Sequence, residues 1–240
     1  MKIKLGINID HVATLRQARG IGKPDIAEAA KICLAAGADF IVCHLRGDRR
    51  HIQDADVFLL KKKIGAKRIH LEMACTPEME RIALKLKPRS VCIVPERPDE
   101  LTTHGGLALS GKNAAKAAQC VKKLRRAGIG VSLFIEPSAA SVRAARAAGS
   151  DTVELCTKAY AEAFGGKNEA AALENLEVAA VLAREMKLHI HSGHGLDYRN
   201  VRAAAHIEGT ECLNIGFSVI SRAMFAGLGR AVAEMKTLVA

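Results

Sequence analysis

Between residues 44 and 51 the chain reads HLRGDRRH, with two histidines, three arginines and an aspartate in eight positions, directly after the apolar run FIVC at 40–43. Such residues can ligate a metal, grip an anion or move protons. His44 and Arg46 are two positions apart, the period at which a strand turns side chains to one face. Asn8 and Asp10, at the end of KLGINID (4–10), have the same spacing. His44 and His51 are seven residues apart, with His44 closing the apolar run and His51 well beyond it. No carboxylate or cysteine joins them at a metal-ligand spacing, so a metal is disfavoured. Arg46 and His51 are better suited to holding an anion, because guanidinium binds phosphate bidentately. Asp48, Arg49 and Arg50 read as caps and solvated charges at the start of the next helix.

Polar groups close nearly every apolar run. They are Asn8, Asp10 and His11 after the first, His44 and Arg46 after the second, and Glu72 after the third. Glu136, Glu154 and His194 follow, with Asn214 and Gly216 at the last. A single histidine or glutamate at a strand end is usually a hydrogen-bonded structural residue. Repetition on almost every run is harder to explain that way, since buried charge is costly unless paired or used. Two turns, SGHGL (192–196) and NIGFS (214–218), place Gly193, Gly195 and Gly216 where backbone N–H groups can face a phosphate.

The elements that must position these groups alternate regularly. Eight strand-like runs stand out: 4–10, 40–45, 68–73, 90–95, 130–136, 152–157, 188–193 and 212–216. Helical patterns separate them near 24–36, 53–63, 77–86, 112–127, 138–148, 168–186 and 198–205, with a last one near 218–238. Pro24 and Pro77 suit first-turn positions, and Gly37, Gly128 and Gly149 suit helix stops. Strand–helix alternation implies a parallel sheet with right-handed crossovers. Eight units in 240 residues give roughly thirty residues each, which predicts a single-domain α/β fold, a closed (β/α)8 TIM barrel. An open doubly wound sheet is the alternative, but no GxGxxG follows residue 10. In a barrel the strand C-termini form the active site, and the loops after strands 7 and 8 bind phosphate.

Composition narrows the function classes. The net charge is +11, which favours anionic ligands. There is no Trp and there are only two Tyr, so a stacking nucleic-acid surface is not evident. The basic runs 61–63 and 122–126 read as solvated helix faces. Seven scattered cysteines without a CxxC point to free thiols in a reducing compartment. No apolar stretch is long enough to span a bilayer, and MKIKLGINID lacks the apolar core of a signal peptide. A cytoplasmic location is the expectation.

Longer strings carry a resemblance. NIDHVATLRQARG (8–20), HLRGDRRHIQDADV (44–57), LEMA (71–74), VPE (94–96), TTHGGL (102–107), VSLFI (131–135), SGHGL (192–196) and LNIG (213–216) are similar, in register over nearly the whole chain, to the pyridoxine 5′-phosphate synthase family. The resemblance implies a (β/α)8 barrel with extra helices, generally an octamer built from dimers. It implies condensation of 1-deoxy-D-xylulose 5-phosphate with 3-amino-2-oxopropyl phosphate to pyridoxine 5′-phosphate, phosphate and water, without metal or organic cofactor. His44, Glu72 and His194 match the family's acid–base residues, and Glu154 matches a carboxylate that stabilises charged intermediates. Asn8, Arg19, Gly195 and Gly216 match contacts to the amino-ketone phosphate. Asp10, His11, Arg46, His51 and Thr102 match contacts to deoxyxylulose phosphate. The segment 97–106 matches a loop that closes over the mouth.

Three positions depart from the pattern. Phe217 stands where the family commonly has His after NIG, and Gly47 stands where Glu is common. Lys158 occupies a place where a small residue is expected. Lys158 also opens a rival reading, a Schiff-base aldolase acting on a phosphosugar. A non-catalytic anion or RNA binder is the third reading. It accounts for the charge but not for the polar strand ends.

Overall fold

The computed structural model describes residues 2–96 and 105–240. Eight strands follow one another: β1 Lys4–Asn8, β2 Phe40–His44, β3 Ile69–Met73, β4 Ser90–Ile93, β5 Gly130–Ile135, β6 Thr152–Cys156, β7 His189–Gly193 and β8 Thr210–Ile215. Each pairs in parallel with the next, and β1 pairs with β8, closing the barrel. Around it lie α1 Asp10–Arg19, α2 Ile26–Ala35, α3 Asp54–Ile64, α4 Pro77–Leu86, α5 Gly111–Arg126 and α6 Ala139–Ala147. These are followed by α7 Lys158–Ala163, α8 Glu169–Glu185, α9 Val201–His206, α10 Phe217–Ala226 and α11 Leu228–Val239. No helix among the described residues is long and apolar enough to cross a membrane.

Local chemistry explains where elements start and stop. Thr76 caps α4 by accepting from the Met79 N–H at 3.3 Å, and Pro77 takes the first-turn position. Gly37, Gly128 and Gly149 end their helices at φ 110°, 75° and 84°, where a side chain would be strained. Pro24 is different: it stands ahead of the α2 cap, Asp25, rather than in the first turn. The first strand stops at Asn8 rather than Asp10. The Asn8 Oδ1 accepts the Asp10 N–H at 2.8 Å, a side-chain turn that replaces the ladder and starts α1. The long helix expected near 218–238 is two, broken at Gly227 with φ 81°.

Parallel strands in a barrel are buried on both faces. Outward-facing Leu5, Ile7, Ile41, Leu71, Leu133 and Ile190 meet the helices in one large core. Inside the barrel are two small apolar groups: Phe40, Val42 and Cys212 on one side, and Cys92, Val94, Phe134 and Cys156 on the other. Between them runs a polar layer holding His70, Ser132, Glu154 and Asn214, all buried. Gly6 lets this layer close. A Cβ there would lie 2.3 Å from Asn214 Oδ1 and 2.6 Å from the Phe40 ring. Gly6→Ala is therefore expected to lower stability by about 1–3 kcal/mol, read as a fall in Tm. An unchanged Tm would mean that Asn214 swings clear at no cost.

Candidate active site

The C-terminal ends of the strands surround a cavity of about 830 Å³. Its wall brings together Asn8, Asp10, His11, His44, Arg46, His51, Glu72, Glu154, His194, Gly195, Gly216 and Phe217. Two predicted site residues are not among them. Arg19 lies exposed in the last turn of α1, away from the lining. Thr102 falls outside the described residues, as does most of the 97–106 segment. Glu136 is also off the wall. It is exposed, and it accepts the Gly106 N–H at 2.6 Å.

Asp10 stands at the first position of α1 and brackets two strands. Its Oδ1 accepts the His44 backbone N–H at 2.8 Å, and its Oδ2 accepts from Asn8 Nδ2 at 2.8 Å. Asn8 and Asp10 therefore do meet, through a turn rather than through strand alternation. One donor atom each from Asp10, His44 and Glu72 lies within 4.8 Å of the others.

The His44 ring is set by a residue the sequence survey passed over. Its Nε2 is 2.9 Å from Glu96 Oε1, while Glu96 Oε2 accepts the Gly47 N–H at 2.9 Å. Burial alone would push the Glu96 carboxyl up. The His44 and Gly47 hydrogen bonds outweigh it and hold that carboxyl below its usual value. A Cβ at Gly47 would stand 3.3 Å from Glu96 Oε2, so the departure from Glu at 47 leaves this bracket unobstructed. The signal available was VPE at 94–96, the polar end of the fourth strand.

The opening stretch divides its work. Gln53, not Asp48, caps α3, and Arg49 pairs with Asp54 and Glu78. Asp48 instead gathers the two pocket arginines, Arg50 at 2.6 Å and buried Arg46 at 3.4 Å. Burial opposes the Asp48 charge, but Arg50 and Arg46 hold its carboxyl down at about 2. His51 Nδ1 accepts the Ile52 N–H at 2.9 Å, which leaves the proton of the neutral ring on Nε2. Burial, together with the nearby His44, Arg46 and His11, lowers its pKa. His51 is therefore a neutral donor beside the cationic Arg46 and Arg50.

Two carboxylates face the cavity in opposite states. Glu72 sits beside His44 in strand register. Burial, then the negative charges of Glu154 and Asp10, raise its pKa well above the ordinary value. Glu154 is 3% exposed. Burial works against its charge as well, but His70 at 3.8 Å and the Asn214 Nδ2 hydrogen bond at 2.7 Å hold it below the ordinary value. A pair pushed apart in this way can supply a proton carrier and a standing anion. His70, whose Nδ1 is 2.7 Å from Ser90 Oγ, supports Glu154 from below the cavity wall and is the second residue the sequence reading missed.

The two glycine turns form one cradle. Thr157 Oγ1 donates to the carbonyls of Gly193 at 2.8 Å and His194 at 2.6 Å. His194 and Gly195 both take left-handed φ, 84° and 83°. A Cβ at Gly195 would meet Ala161 Cβ at 2.8 Å. Ser218 Oγ, in the first turn of α10, donates to the Leu196 carbonyl at 2.7 Å and ties the turns together. Gly216 is the α10 cap, so the unsatisfied N–H groups of that helix open at the cavity. Phe217 is 68% exposed and meets His11 edge to face at 5.2 Å. Lys158 opens α7 and pairs with Glu162 four residues on, outside the cavity lining. It is poorly placed for a Schiff base with a ligand in the mouth.

Known proteins agree with this architecture. The family model described as "Pyridoxal phosphate biosynthesis protein PdxJ" matches residues 5–240. The pyridoxine 5′-phosphate synthase of Elusimicrobium minutum is 53% identical over 239 residues, covering 100% of this chain and 98% of its own length. That of Geobacter sulfurreducens is 52% identical, covering 98% of each. Among solved structures, 3-keto-L-gulonate-6-phosphate decarboxylase from Vibrio cholerae superposes with a TM-score of 0.65 at 13% identity, covering 100% of this chain and 98% of that one. A native KDPGal structure gives a TM-score of 0.63 at 12% identity, covering 99% and 95%. These distant likenesses concern the barrel alone. The family match and the near relatives, both spanning almost the whole chain, establish that this chain belongs to the pyridoxine 5′-phosphate synthase family.

Proposed function

We propose that this chain condenses 1-deoxy-D-xylulose 5-phosphate with 3-amino-2-oxopropyl phosphate to pyridoxine 5′-phosphate, releasing phosphate and water. The observation that carries this reading is the layout of the mouth. Two separate anion grips, Arg46–Arg50–His51 on one side and the Gly195–Gly216 cradle on the other, flank carboxylates of opposite character. Each grip takes one phosphate, which brings amine and ketone together. Amine attack on the ketone gives an imine with loss of water. Loss of phosphate, aldol-type ring closure and dehydration follow, and each step moves a proton. Glu72 carries its proton into the reaction and gives it up there. His44, held by Glu96, and His194, on its left-handed turn, serve as further proton carriers. Glu154 remains an anion and stabilises the cationic imine. In this reading the enzyme uses neither metal nor organic cofactor. Incubating the protein with both substrates should yield pyridoxine 5′-phosphate, and either substrate alone should yield none. Product formed from one substrate alone would contradict the reading.

Two variants test the grips. Arg46→Ala is expected to raise the KM for deoxyxylulose phosphate by roughly 10- to 100-fold with a smaller change in kcat, the effect of losing one charged hydrogen-bonding group. An unchanged KM would remove Arg46 from the phosphate site. Phe217→His should leave kcat/KM for the amino ketone equal or higher, because the cradle uses backbone N–H groups at this position. A large loss would show that the Phe217–His11 contact has become part of the site.

The sequence itself places the chain in the cytoplasm as a single domain over 1–240, and the family resemblance implies an octamer built from dimers. Exposed Phe217, Met224 and Phe225 on α10, at 68%, 69% and 89%, support self-association. Light scattering of the purified protein checks the assembly.

A further inference from the structure

A second group of reactive side chains stands outside the barrel mouth. Cys75 lies in the turn between β3 and α4, directly before the Thr76 cap. Cys120 lies on the buried face of α5, and Glu80 lies in the first turn of α4. Both Sγ atoms and a Glu80 carboxylate oxygen lie within 4.8 Å of one another. The two sulfurs differ in access: Cys120 is fully buried, whereas Cys75 is half-buried. Cys75 Sγ is 3.5 Å from the Lys116 carbonyl, and Lys123 Nζ is 2.7 Å from Glu80 Oε2.

The other five cysteines, Cys33, Cys43, Cys92, Cys156 and Cys212, are at most 2% exposed, and burial pushes their thiols up. Cys75 alone is moved the other way, chiefly by the Cys120 S–H with Lys116 assisting, which together outweigh burial and the Glu80 charge. Cys120 is raised by the same contact. One sulfur is thus an accessible nucleophile and its neighbour a protonated thiol held against it, the arrangement in which a resolving cysteine works.

We propose that Cys75 and Cys120 form a peroxide-sensitive pair that closes reversibly to a disulfide, joining the β3–α4 turn to α5. The oxidant is a hydroperoxide, such as hydrogen peroxide. The Cys75 thiolate attacks one peroxide oxygen and the O–O bond breaks. Cys75 becomes a sulfenic acid, and the hydroxide released takes a proton and leaves as water. Cys120 passes its proton to Glu80 and attacks the Cys75 sulfur. The S–S bond forms as the S–O bond breaks, and the departing hydroxide takes the proton from Glu80 and leaves as a second water. In sum, two thiols and one hydrogen peroxide give one disulfide and two waters. The two sulfurs give up two electrons to the peroxide oxygens. A dithiol reductant reverses the change. Lys116 favours a thiolate at Cys75, and Lys123 is paired with Glu80, so two lysines beside the group oppose a resident divalent cation.

The test treats the reduced full-length protein with stoichiometric hydrogen peroxide, blocks the remaining thiols with iodoacetamide and maps the peptides by mass spectrometry. The expected product is a Cys75–Cys120 cross-linked peptide pair that dithiothreitol separates. Cys120→Ser should stop at the sulfenic acid, labelled on Cys75 by dimedone. Cys75→Ser should leave Cys120 alkylatable after unfolding. The proposal is overturned if the wild-type Cys75 goes on to sulfinic acid without pairing, or if both thiols survive the peroxide unchanged. Zinc carried on the two sulfurs through purification, with no cross-link after its removal, would also overturn it and mark a metal site instead.

Discussion

Glu72→Gln is expected to stop turnover, lowering kcat by about 10²–10⁴-fold, while both substrates still bind near their wild-type affinity. Glutamine has the shape and hydrogen-bonding reach of a protonated glutamate. Glu72 is pushed towards that protonated form by burial and by its acidic neighbours Glu154 and Asp10. The variant therefore resembles the resting site but has no proton to exchange. Stability separates this role from a structural one. A carboxyl whose pKa is raised by folding contributes stability that is fully present below its unfolded value and is lost as pH rises through the folded value. The neutral amide of the variant removes that loss. Glu72→Gln should therefore be as stable as the wild type, or more so, above the ordinary carboxylate range. A variant that loses activity because it unfolds at neutral pH would contradict the assignment.

Glu154→Gln should give the second large effect, a comparable fall in kcat together with a shift in the pH profile. Glu154 is the second-largest cause of the raised Glu72 pKa, after burial. Removing its negative charge makes Glu72 easier to ionise, so the limb of kcat/KM governed by Glu72 should move to lower pH. The variant should also lose stability with the opposite pH sign. The folded pKa of Glu154 is depressed, so its contribution is present above the unfolded value and is lost as pH falls through the folded value. The penalty of Glu154→Gln, measured as a difference in Tm, is therefore expected to be larger at neutral than at strongly acid pH. A pH profile that keeps its shape would show that Glu154 does not act on Glu72.

The barrel was legible because its strands carry strong local signals. FIVCHL at 40–45 became β2 at Phe40–His44, and the other seven runs fell within a few residues of their strands. Two helices were not legible. Helix α1, DHVATLRQAR, buries only Asp10, Val12 and Ala13, so no apolar stripe marks it. Helix α7 has six residues and buries only Tyr160, so no apolar repeat marks it. Most of the site was legible because strand ends converge in this fold whatever the loops do. Glu96 escaped because β4 ends at Ile93 and its polar end lies beyond Val94 and Pro95. His70 escaped because it lies mid-strand, where neither spacing nor neighbours distinguish it from a structural residue. The work of Asp48 also depended on folding. Its two arginine partners flank it in sequence, but only the turn decides that they gather at the cavity rather than cap a helix.

In the proposed reaction, one mouth joins two phosphorylated substrates by proton transfer alone. The most direct measurement gives chelator-treated protein both substrates and follows pyridoxine 5′-phosphate and inorganic phosphate in the same time course. Both should appear at equal rates, undiminished by the chelator. Phosphate released without the ring product, or no product from a folded protein that binds both substrates, would contradict this chemistry.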